Sequence, residues 1–264
     1  GAVGSAGAAH AANRLRGIDD NSLHWSGDSL ERLFTASLLR YLAIAQSLAP
    51  FLWKGFIETV TVSLVGIFAG SLIGFVIGVV RSQRVPILTP LFGLYIHLLR
   101  GTPFLVQLYL FYFVLPNTGV EWLKWESRTA AFVALSIYTS SYVAEIVMSA
   151  IEAVPRGQSE AATALGMTRI ERLWHVVLPQ AVKLTIPSMS GVYVMIIKST
   201  AILSVIGISE LTRQGELAIL RFPRDILFIY GLIAAVYFAY CYPVLRFARW
   251  AEQRIGAARV ARLD

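Results

Sequence analysis

Five long apolar blocks constrain the fold of this chain more than any other feature of its sequence. A helix of about 20 residues, rising about 1.5 Å per residue, crosses the roughly 30 Å hydrocarbon core of a bilayer. The apolar runs are continuous and do not alternate over ten-residue segments, so they favour helices over a β-barrel. We therefore predict an all-α membrane protein with about five transmembrane helices. The predicted spans are Phe56–Val80, Leu91–Leu115, Thr129–Ala150, Leu184–Ile206 and Ile226–Leu245.

Gly101 and Pro103 are expected to break the second span. Gly66, Gly70, Gly74 and Gly78 recur every four residues in the first span and predict close contact with another helix, within the chain or across a dimer.

Composition agrees with a membrane protein. Hydrophobic residues make up 56% of the 264 residues and charged residues 15%, and the mean hydropathy is +0.62. A soluble domain carries about 25% charged residues. The net charge is +7, but the cations lie at the ends of the apolar blocks and form no basic stripe with aromatic residues. This distribution favours membrane lipid as a partner and argues against nucleic acid.

The sequence lacks the patterns of catalytic and metal-binding sites. Its one cysteine, Cys241, and its four scattered histidines do not form a set of metal ligands. No nucleophile and base at workable spacing stand out within the spans. The chain also lacks the phosphate-binding Gly-x-x-x-x-Gly-Lys-Ser/Thr motif. We expect this chain to have no enzymatic activity and to bind no metal or cofactor.

The segments between the apolar blocks give a domain organisation and an orientation. We predict a flexible tail at 1–28, an amphipathic or interfacial segment at 29–55 with an extra membrane span as the alternative, a transmembrane domain at 56–247 with a polar loop at 151–183, and a cytoplasmic tail at 248–264. With the N-terminus outside, the inner segments hold 11 Lys and Arg residues against 5 in the outer loops. The positive-inside rule therefore predicts an external N-terminus and a cytoplasmic C-terminus.

The long polar loop at 151–183 carries the signals of two short helices. Glu160–Leu165 is rich in strong helix formers, and Gly166 suits a left-handed helix end. Thr168–Glu171 has the pattern of a capping box that begins a second helix. Pro179 is expected to end that second helix before the fourth span. Under the predicted orientation, the loop presents a rigid helical knob at the cytoplasmic face.

Several motifs occur together in a fixed order along the chain. They are Arg100–Pro103 with Val106 and Gln107, Tyr142–Glu145, Pro155–Gln158, Glu160–Ala162 with Gly166, Leu178–Gln180, and Lys198 with Ile206 and Glu210. In this order and spacing the chain resembles the permease subunits of ATP-binding cassette importers, in the branch that takes up polar amino acids. It departs from the family pattern at Gly191, Ser199 and Met148, where Asn, Asp and Arg are usual.

The resemblance implies a type I importer permease of the bacterial inner membrane that moves an amino acid by alternating access. It implies four kinds of partner: a cytoplasmic ATP-binding subunit dimer, a second identical or similar permease subunit, an extracytoplasmic solute-binding protein, and membrane lipid. ATP and Mg would be used by the ATP-binding subunits. The loop at 151–183 would then contain the coupling helix, with Gln158, Glu160, Ala161, Ala162, Leu165, Gly166 and Arg169 as coupling residues.

Charged residues within apolar spans are functional candidates, because a charge there costs several kcal/mol unless it is paired or hydrated. With Met148 in place of Arg, Glu145 lacks a cation one helical turn away. We expect Glu145 to contact the cationic end of the substrate, whereas the alternative is a structural Glu145–Lys198 pair. An ion-coupled secondary amino acid carrier is the alternative function. The full predicted substrate pathway is Arg100, Thr102, Gln107, Tyr142, Glu145, Lys198 and Ser199.

Overall fold

A computed structural model describes residues 27–260, with side chains at position 31 and at 34–254. The described residues form helices and contain no strand, which confirms the predicted all-α fold for this part of the chain. The α-helices are α1 Gly27–Ser82, α2 Leu88–Gly101, α3 Phe104–Tyr109, α4 Ser127–Glu152, α5 Arg156–Ala164, α6 Arg169–Arg172, α7 Leu178–Ser199, α8 Leu211–Arg221 and α9 Ile226–Val260. Two π segments cover Leu110–Val114 and Leu173–Val177, and 3₁₀ turns cover Leu115–Thr118, Glu121–Leu123, Thr200–Ile206 and Pro223–Asp225.

Four described stretches are long and apolar enough to cross a bilayer, and a bent pair of helices makes a fifth candidate. The four are Phe34–Ser82, Ser127–Glu152, Arg169–Ile206 and Pro223–Arg254. The bent pair, Leu88–Gly101 with Phe104–Thr118, turns by 107° at its break. About five spans are therefore confirmed, but the second is not a straight helix.

The bend of the second span has a local cause. Pro103 has no backbone N–H and disfavours helical dihedrals in the residue before it. Thr102 is accordingly extended, with φ −119° and ψ 146°, and α2 ends there. Pro103 then lies at the N-cap of α3. The sequence break at Gly101 and Pro103 is thus a sharp turn within the second candidate span.

The contacts divide the chain into two units, 1–49 and 50–264. In the first unit, the described part of α1 carries exposed apolar side chains such as Phe34 and Leu39. The apolar stretch Phe34–Ser82 has 49 residues, more than twice the about 20 that a span needs. The interfacial role of 29–55 and the cytoplasmic position of 248–264 remain predictions, although α9 extends to Val260. The predicted tail at 1–28 lies almost wholly outside the described residues.

A stripe of four glycines brings α1 and α4 into close contact. A Cβ atom built at Gly66 would lie 2.8 Å from the Cβ of Leu135, and one at Gly74 would lie 2.6 Å from the carbonyl oxygen of Ser140. Gly70 and Gly78 face α4 in the same way. Small residues let two helix backbones approach closely in a membrane. The predicted close helix contact is confirmed, and α4 of the same chain is the neighbour.

The largest buried cluster joins four of the spans. Val62 of α1, Leu108 of α3, Leu135 of α4 and Ile196 of α7 are all fully buried in it. Many large apolar side chains instead lie exposed on the outer faces of the helices, Phe68 and Phe238 among them. Exposed apolar faces of this kind suit contact with lipid tails or with another apolar helix.

Candidate transport site and coupling loop

Helix α5, the expected coupling helix in the loop at 151–183, which we call the coupling loop, ends in a closed turn at Gly166. Gly166 has φ +82°, a left-handed conformation that favours glycine. Its N–H donates to the carbonyl of Thr163 at 2.9 Å, and the N–H of Met167 donates to the carbonyl of Ala162 at 3.1 Å. These two bonds form a Schellman motif, which satisfies carbonyls at the helix end. The predicted left-handed helix end at Gly166 is therefore confirmed.

The next helix begins with the predicted capping box. The N–H of Glu171 donates to Oγ1 of Thr168 at 3.3 Å, and the N–H of Thr168 donates to Oε2 of Glu171 at 2.8 Å. Each side chain thus satisfies a backbone donor that the first helical turn leaves free. α5 ends and α6 begins within a few residues of each other. The hydrogen bonds at both ends therefore fix the direction of the chain on either side of the turn.

The expected end of this second helix at Pro179 is wrong. The chain is helical from α6 through the π segment Leu173–Val177 into α7, which begins at Leu178. In the π segment the N–H of Leu178 donates to the carbonyl of Leu173, five residues earlier. Pro179 lies directly after the π segment, and this local change of the hydrogen-bond pattern lets the helix continue past a residue that has no backbone N–H. The coupling loop is therefore continuous with the fourth span.

The coupling loop presents apolar side chains on its surface. Leu165 is 80% exposed, Ile170 70% and Trp174 58%. Two bonds brace the loop: Nη1 of Arg172 donates to Oγ1 of Thr163 at 2.7 Å, and Nη2 of Arg169 donates to the carbonyl of Gln83 at 3.2 Å. Of the predicted coupling residues, Ala162 is buried and the rest are exposed, namely Gln158, Glu160, Ala161, Leu165, Gly166 and Arg169.

In the membrane half, by which we mean the membrane-spanning helices, Glu145 pairs with an arginine that follows the first predicted span, at a position typical of an ordinary flanking cation. Nη1 of Arg81, in the last turn of α1, donates to Oε2 of Glu145 at 2.7 Å. Nη1 of Arg100 lies 3.9 Å from the same oxygen, and its guanidinium is 5.2 Å from the ring centre of Tyr142. The alternative Glu145–Lys198 pair is not formed. We call Arg81, Arg100, Tyr142 and Glu145 the charge cluster.

Gln107 and Thr102 hold the break in the second span. The buried amide Nε2 of Gln107 donates to the carbonyl of Leu99 at 2.7 Å and to both oxygens of Thr102, at 2.9 and 3.1 Å. Oγ1 of Thr102 donates to the carbonyl of Leu98 at 2.8 Å. Backbone groups freed at membrane depth need such partners. Both side chains therefore stabilise the bend, and their part in the substrate pathway remains a prediction.

An open surface cavity of about 420 Å³ is lined only by residues of α7 and of the 3₁₀ turn that follows it. Lys198 is its charged residue, and its side chain is exposed. Oγ of the neighbouring Ser199 donates to the carbonyl of Met195 at 2.9 Å. The other residues that line the cavity are Gly191, Val194, Met195 and Ile202.

A buried carboxylate outside the predicted site residues joins three helices. Glu210 is fully buried at the N-cap of α8, where it accepts bonds from the N–H groups of Thr212 and Arg213, both at 2.8 Å. The hydroxyl of Tyr237 in α9 donates to it at 2.9 Å, and the N–H of Leu211 donates to Thr59 of α1 at 3.1 Å. Burial raises the pKa of the Glu210 carboxyl, and these hydrogen bonds oppose the rise.

The model of the family described as "Binding-protein-dependent transport system inner membrane component" matches residues 64–257. This chain belongs to that family. The permease is 33% identical to the Probable amino-acid ABC transporter permease protein YckA of Bacillus subtilis, over 84% of this chain and 91% of the relative. It is 31% identical to the L-cystine transport system permease protein TcyB of the same organism, over 81% and 91%.

A solved structure gives the same assignment. The permease superposes on the crystal structure of an amino acid ABC transporter with histidines with a TM-score of 0.73 and 34% identity, over 81% of this chain and 98% of the other. Sequence and fold therefore agree that this chain is the membrane-spanning subunit of an ATP-binding cassette importer with a type I permease fold. They do not support the ion-coupled carrier that was the alternative function.

Proposed function

We propose that the permease moves an amino acid through the inner membrane by alternating access. The relatives above are named for amino acids or for cystine, and they match almost their whole length. The membrane-spanning helices hold three polar groups in otherwise apolar surroundings: the charge cluster, the bend at Thr102 and Gln107, and the Lys198 cavity. These groups offer charged and hydrogen-bonding partners for a zwitterion. The coarse assignment as an importer subunit is established, and the amino acid is the proposed cargo.

The proposed orientation has the N-terminus outside and the C-terminus in the cytoplasm. The excess of Lys and Arg in the inner segments supports it. The coupling loop then faces the cytoplasm, where Leu165, Ile170 and Trp174 contact a dimer of ATP-binding subunits. ATP and Mg are bound and hydrolysed in those subunits. A second permease subunit and an extracytoplasmic solute-binding protein complete the importer.

The coupling mechanism uses the continuity between the loop and the fourth span. A short helix seated in a groove moves as a rigid body when the groove moves. The brace between Arg172 and Thr163 makes α5 and α6 move together, and α6 leads without a break into α7. A displacement of the coupling loop therefore tilts the helix that lines the Lys198 cavity. The coupling proposal is supported by the exposed loop, whose helix end and helix start are both closed by hydrogen bonds.

Docking is tested by co-purification of the permease with its ATP-binding subunit from detergent. We expect Leu165→Asp to abolish co-purification, because Leu165 is an apolar contact on the loop. Leu220→Asp is the matched control, since Leu220 of α8 is equally exposed, at 79% against 80%. Unchanged co-purification with Leu165→Asp would contradict docking through the coupling loop. An amino acid panel in a reconstituted, substrate-stimulated ATPase assay tests the cargo.

The orientation is tested by cysteine labelling of intact cells in a Cys241→Ser background. Glu121 and Glu152 both have exposed side chains and lie at opposite ends of the stretch that contains α4. A membrane-impermeant thiol reagent should label Glu121→Cys in intact cells and Glu152→Cys only after permeabilisation. The reverse pattern would move the coupling loop to the outer face and overturn the docking proposal.

A further inference from the structure

The second candidate span has two parts with different directions relative to α4. Oγ of Ser127 donates to the hydroxyl of Tyr112 at 3.0 Å, and the ring centres of Phe104 and Tyr138 are 4.8 Å apart. From Phe104 to Tyr112 the chain therefore runs antiparallel to α4, which is itself a candidate span. The part that begins with α3 is thus aligned across the bilayer.

Helix α2, in contrast, meets α4 at one place. Phe92, Tyr95 and Ile96 pack around Ala144 of α4 and Ile77 of α1. The turn of 107° between α2 and α3 exceeds a right angle by 17°. When α3 is perpendicular to the bilayer, α2 therefore lies about 17° from the membrane plane. Only one of the two parts crosses the bilayer, and the alignment with α4 assigns the crossing to the part that begins with α3.

The level of α2 in the bilayer follows from its neighbours. Ile77, which it contacts, lies five residues before the end of α1 at Ser82. Gln83, in the turn between α1 and α2, accepts the hydrogen bond from Arg169 of the coupling loop. Helix α2 therefore lies at the end of the first span, on the side of the bilayer that carries the coupling loop.

The length of the chain after the bend agrees with this level. Phe104–Thr118 has 15 residues, which extend over about 22 Å as a helix. The hydrocarbon core is roughly 30 Å thick, so about 8 Å of it remains on the side of α2. Amphipathic helices in the membrane interface lie about 5–10 Å deep, and a bend at this depth closes the gap.

The surface of α2 has three sides. One side packs against the protein through Ile96, which is 2% exposed. A second side carries His97 and Arg100, both exposed. The third is an exposed apolar stripe whose residues recur every three or four positions, as on one side of a helix. The stripe consists of Ile87, Leu91, Leu94 and Leu98. An apolar stripe beside a polar one suits the boundary between acyl chains and headgroups.

We propose that α2 is an interfacial helix that docks on the lipid surface through this apolar stripe, and that Phe104–Thr118 alone makes the second crossing. The partner is the leaflet on the side of the coupling loop. The leucines face its acyl chains, while His97 and Arg100 face headgroups and water. The number of crossings is unchanged. The turn at Gln83, which braces the coupling loop, is then held at the membrane surface by the helices on both sides of it.

The experiment measures the depth of spin labels in the complex of permease and a cysteine-free ATP-binding subunit in nanodiscs. Labels are attached at Leu91→Cys, Leu94→Cys and Leu98→Cys, each in a Cys241→Ser background. Collision rates with oxygen and with a water-soluble nickel chelate give the depth. We expect one depth within about 3 Å, or within about 6 Å if α3 has the common tilt of about 20°. A crossing α2 would separate the outer two labels by about 10 Å.

Labels at Leu227 and Phe238 of α9 are the matched control. Both side chains are exposed, at 89% and 66%, and they lie eleven residues apart in another candidate span. Their depths should differ by about 10 Å or more, because this helix crosses the bilayer.

Three results would overturn the inference. A depth that increases steadily by about 10 Å from Leu91 to Leu98 would make α2 part of a straight crossing. A single depth near the bilayer centre would make it a re-entrant helix. Low collision rates with both reagents would mean that protein, such as a second copy of the chain, covers the stripe.

A charged substitution gives an independent measure without a label. Leu94→Lys should be recovered as folded complex within about twofold of the wild type, because a lysine at the interface reaches the headgroups. Phe238→Lys should lower the recovery by about tenfold or more, because that lysine would lie in the hydrocarbon core. Equal losses for the two variants would place Leu94 in the core and contradict the inference.

Discussion

The coupling loop and the membrane half of this permease are held together by contacts of very different range. In the loop, the bonds at Gly166 and Thr168 join residues three to five positions apart. In the membrane half, Arg81 and Glu145 are 64 positions apart, and the glycines of α1 meet side chains of α4. The turn between α5 and α6 is therefore a local structure, tied to the end of α1 by the bond from Arg169 to the carbonyl of Gln83, whereas the membrane-spanning part forms only when its helices pack. Changes in the loop should impair coupling, and changes in the membrane half should impair folding.

The largest effect is expected at the glycine stripe. A Cβ atom at Gly70 would collide with Thr139 and lie 2.7 Å from the carbonyl oxygen of Ser136. Backbone atoms cannot move aside, so Gly70→Val should cost about 3 kcal/mol or more, at the upper end of overpacking effects. Thermal unfolding in detergent, followed by size-exclusion chromatography, measures the loss. Gly93→Val is the control, because a Cβ there meets nothing within 4 Å. Equal stability of both variants would contradict the close contact of α1 and α4.

A smaller effect is expected from the charge cluster. The side chains of Arg81 and Glu145 are only 14% and 37% exposed, so removal of the arginine leaves a partly buried carboxylate without its closest partner. Arg81→Gln should cost about 1–2 kcal/mol, measured by the same unfolding assay. Arg84→Gln, at an exposed arginine in the following turn, should have no effect.

The double variant Arg81→Gln with Glu145→Gln tests whether the two residues act as a pair. It should recover part of the stability lost in Arg81→Gln, because it removes the unpaired charge. Strictly additive losses would show that Arg81 and Glu145 do not act as a pair.

The coupling loop should respond in activity and not in stability. Gly166→Ala forces an alanine into the left-handed region, at a cost of about 1–2 kcal/mol. We expect ATP-driven uptake to fall about 5- to 30-fold, while the unfolding temperature of the membrane domain stays the same. Gly157→Ala is the control, because Gly157 lies in α5 with nothing within 4 Å of a Cβ. If Gly166→Ala also lowers the unfolding temperature of the membrane domain, the distinction between the coupling loop and the membrane-spanning helices fails.

The smallest effect is expected at the capping box. Thr168→Ala loses the side-chain acceptor for the N–H of Glu171, which typically costs about 1 kcal/mol. Uptake should fall less than in Gly166→Ala, and Thr168→Ser should retain wild-type uptake because serine keeps the hydroxyl. If Thr168→Ala lowers uptake more than Gly166→Ala does, the second helix and not the turn transmits the movement.

Much of the architecture could be predicted from the sequence. The predicted span Thr129–Ala150 lies within α4, Ser127–Glu152, because continuous apolar length is a property of the chain itself. The break at Gly101 and Pro103 was predicted, but the 107° turn was not. Its stability depends on the amide of Gln107 reaching back to Leu99. Pro179 was expected to end a helix, but the π segment before it lets the helix continue.

The candidate site likewise contains residues that could be predicted from the sequence and contacts that could not. Lys198, Glu145 and Arg100 were predicted because a charge in an apolar span is visible in the sequence. The partner of Glu145 could not be predicted, because Arg81 lies at the end of another helix and its sequence position resembles that of an ordinary flanking cation. The Glu210 network was missed for the same reason, since Tyr237 and Thr59 come from distant helices.

By itself, the sequence determined the number of spans, the small face of α1, the turn at Gly166 and the capping box at Thr168. These features depend on segments of about 20 residues or fewer, so apolar length, steric limits and local hydrogen bonds decide them. Only the tertiary structure decided that α4 covers the glycine stripe, that Arg81 forms an ion pair with Glu145, and that Lys198 lines a cavity without an ion-pair partner among the described side chains. Which charges meet depends on how rigid helices pack side by side, and that packing is a property of the whole membrane domain.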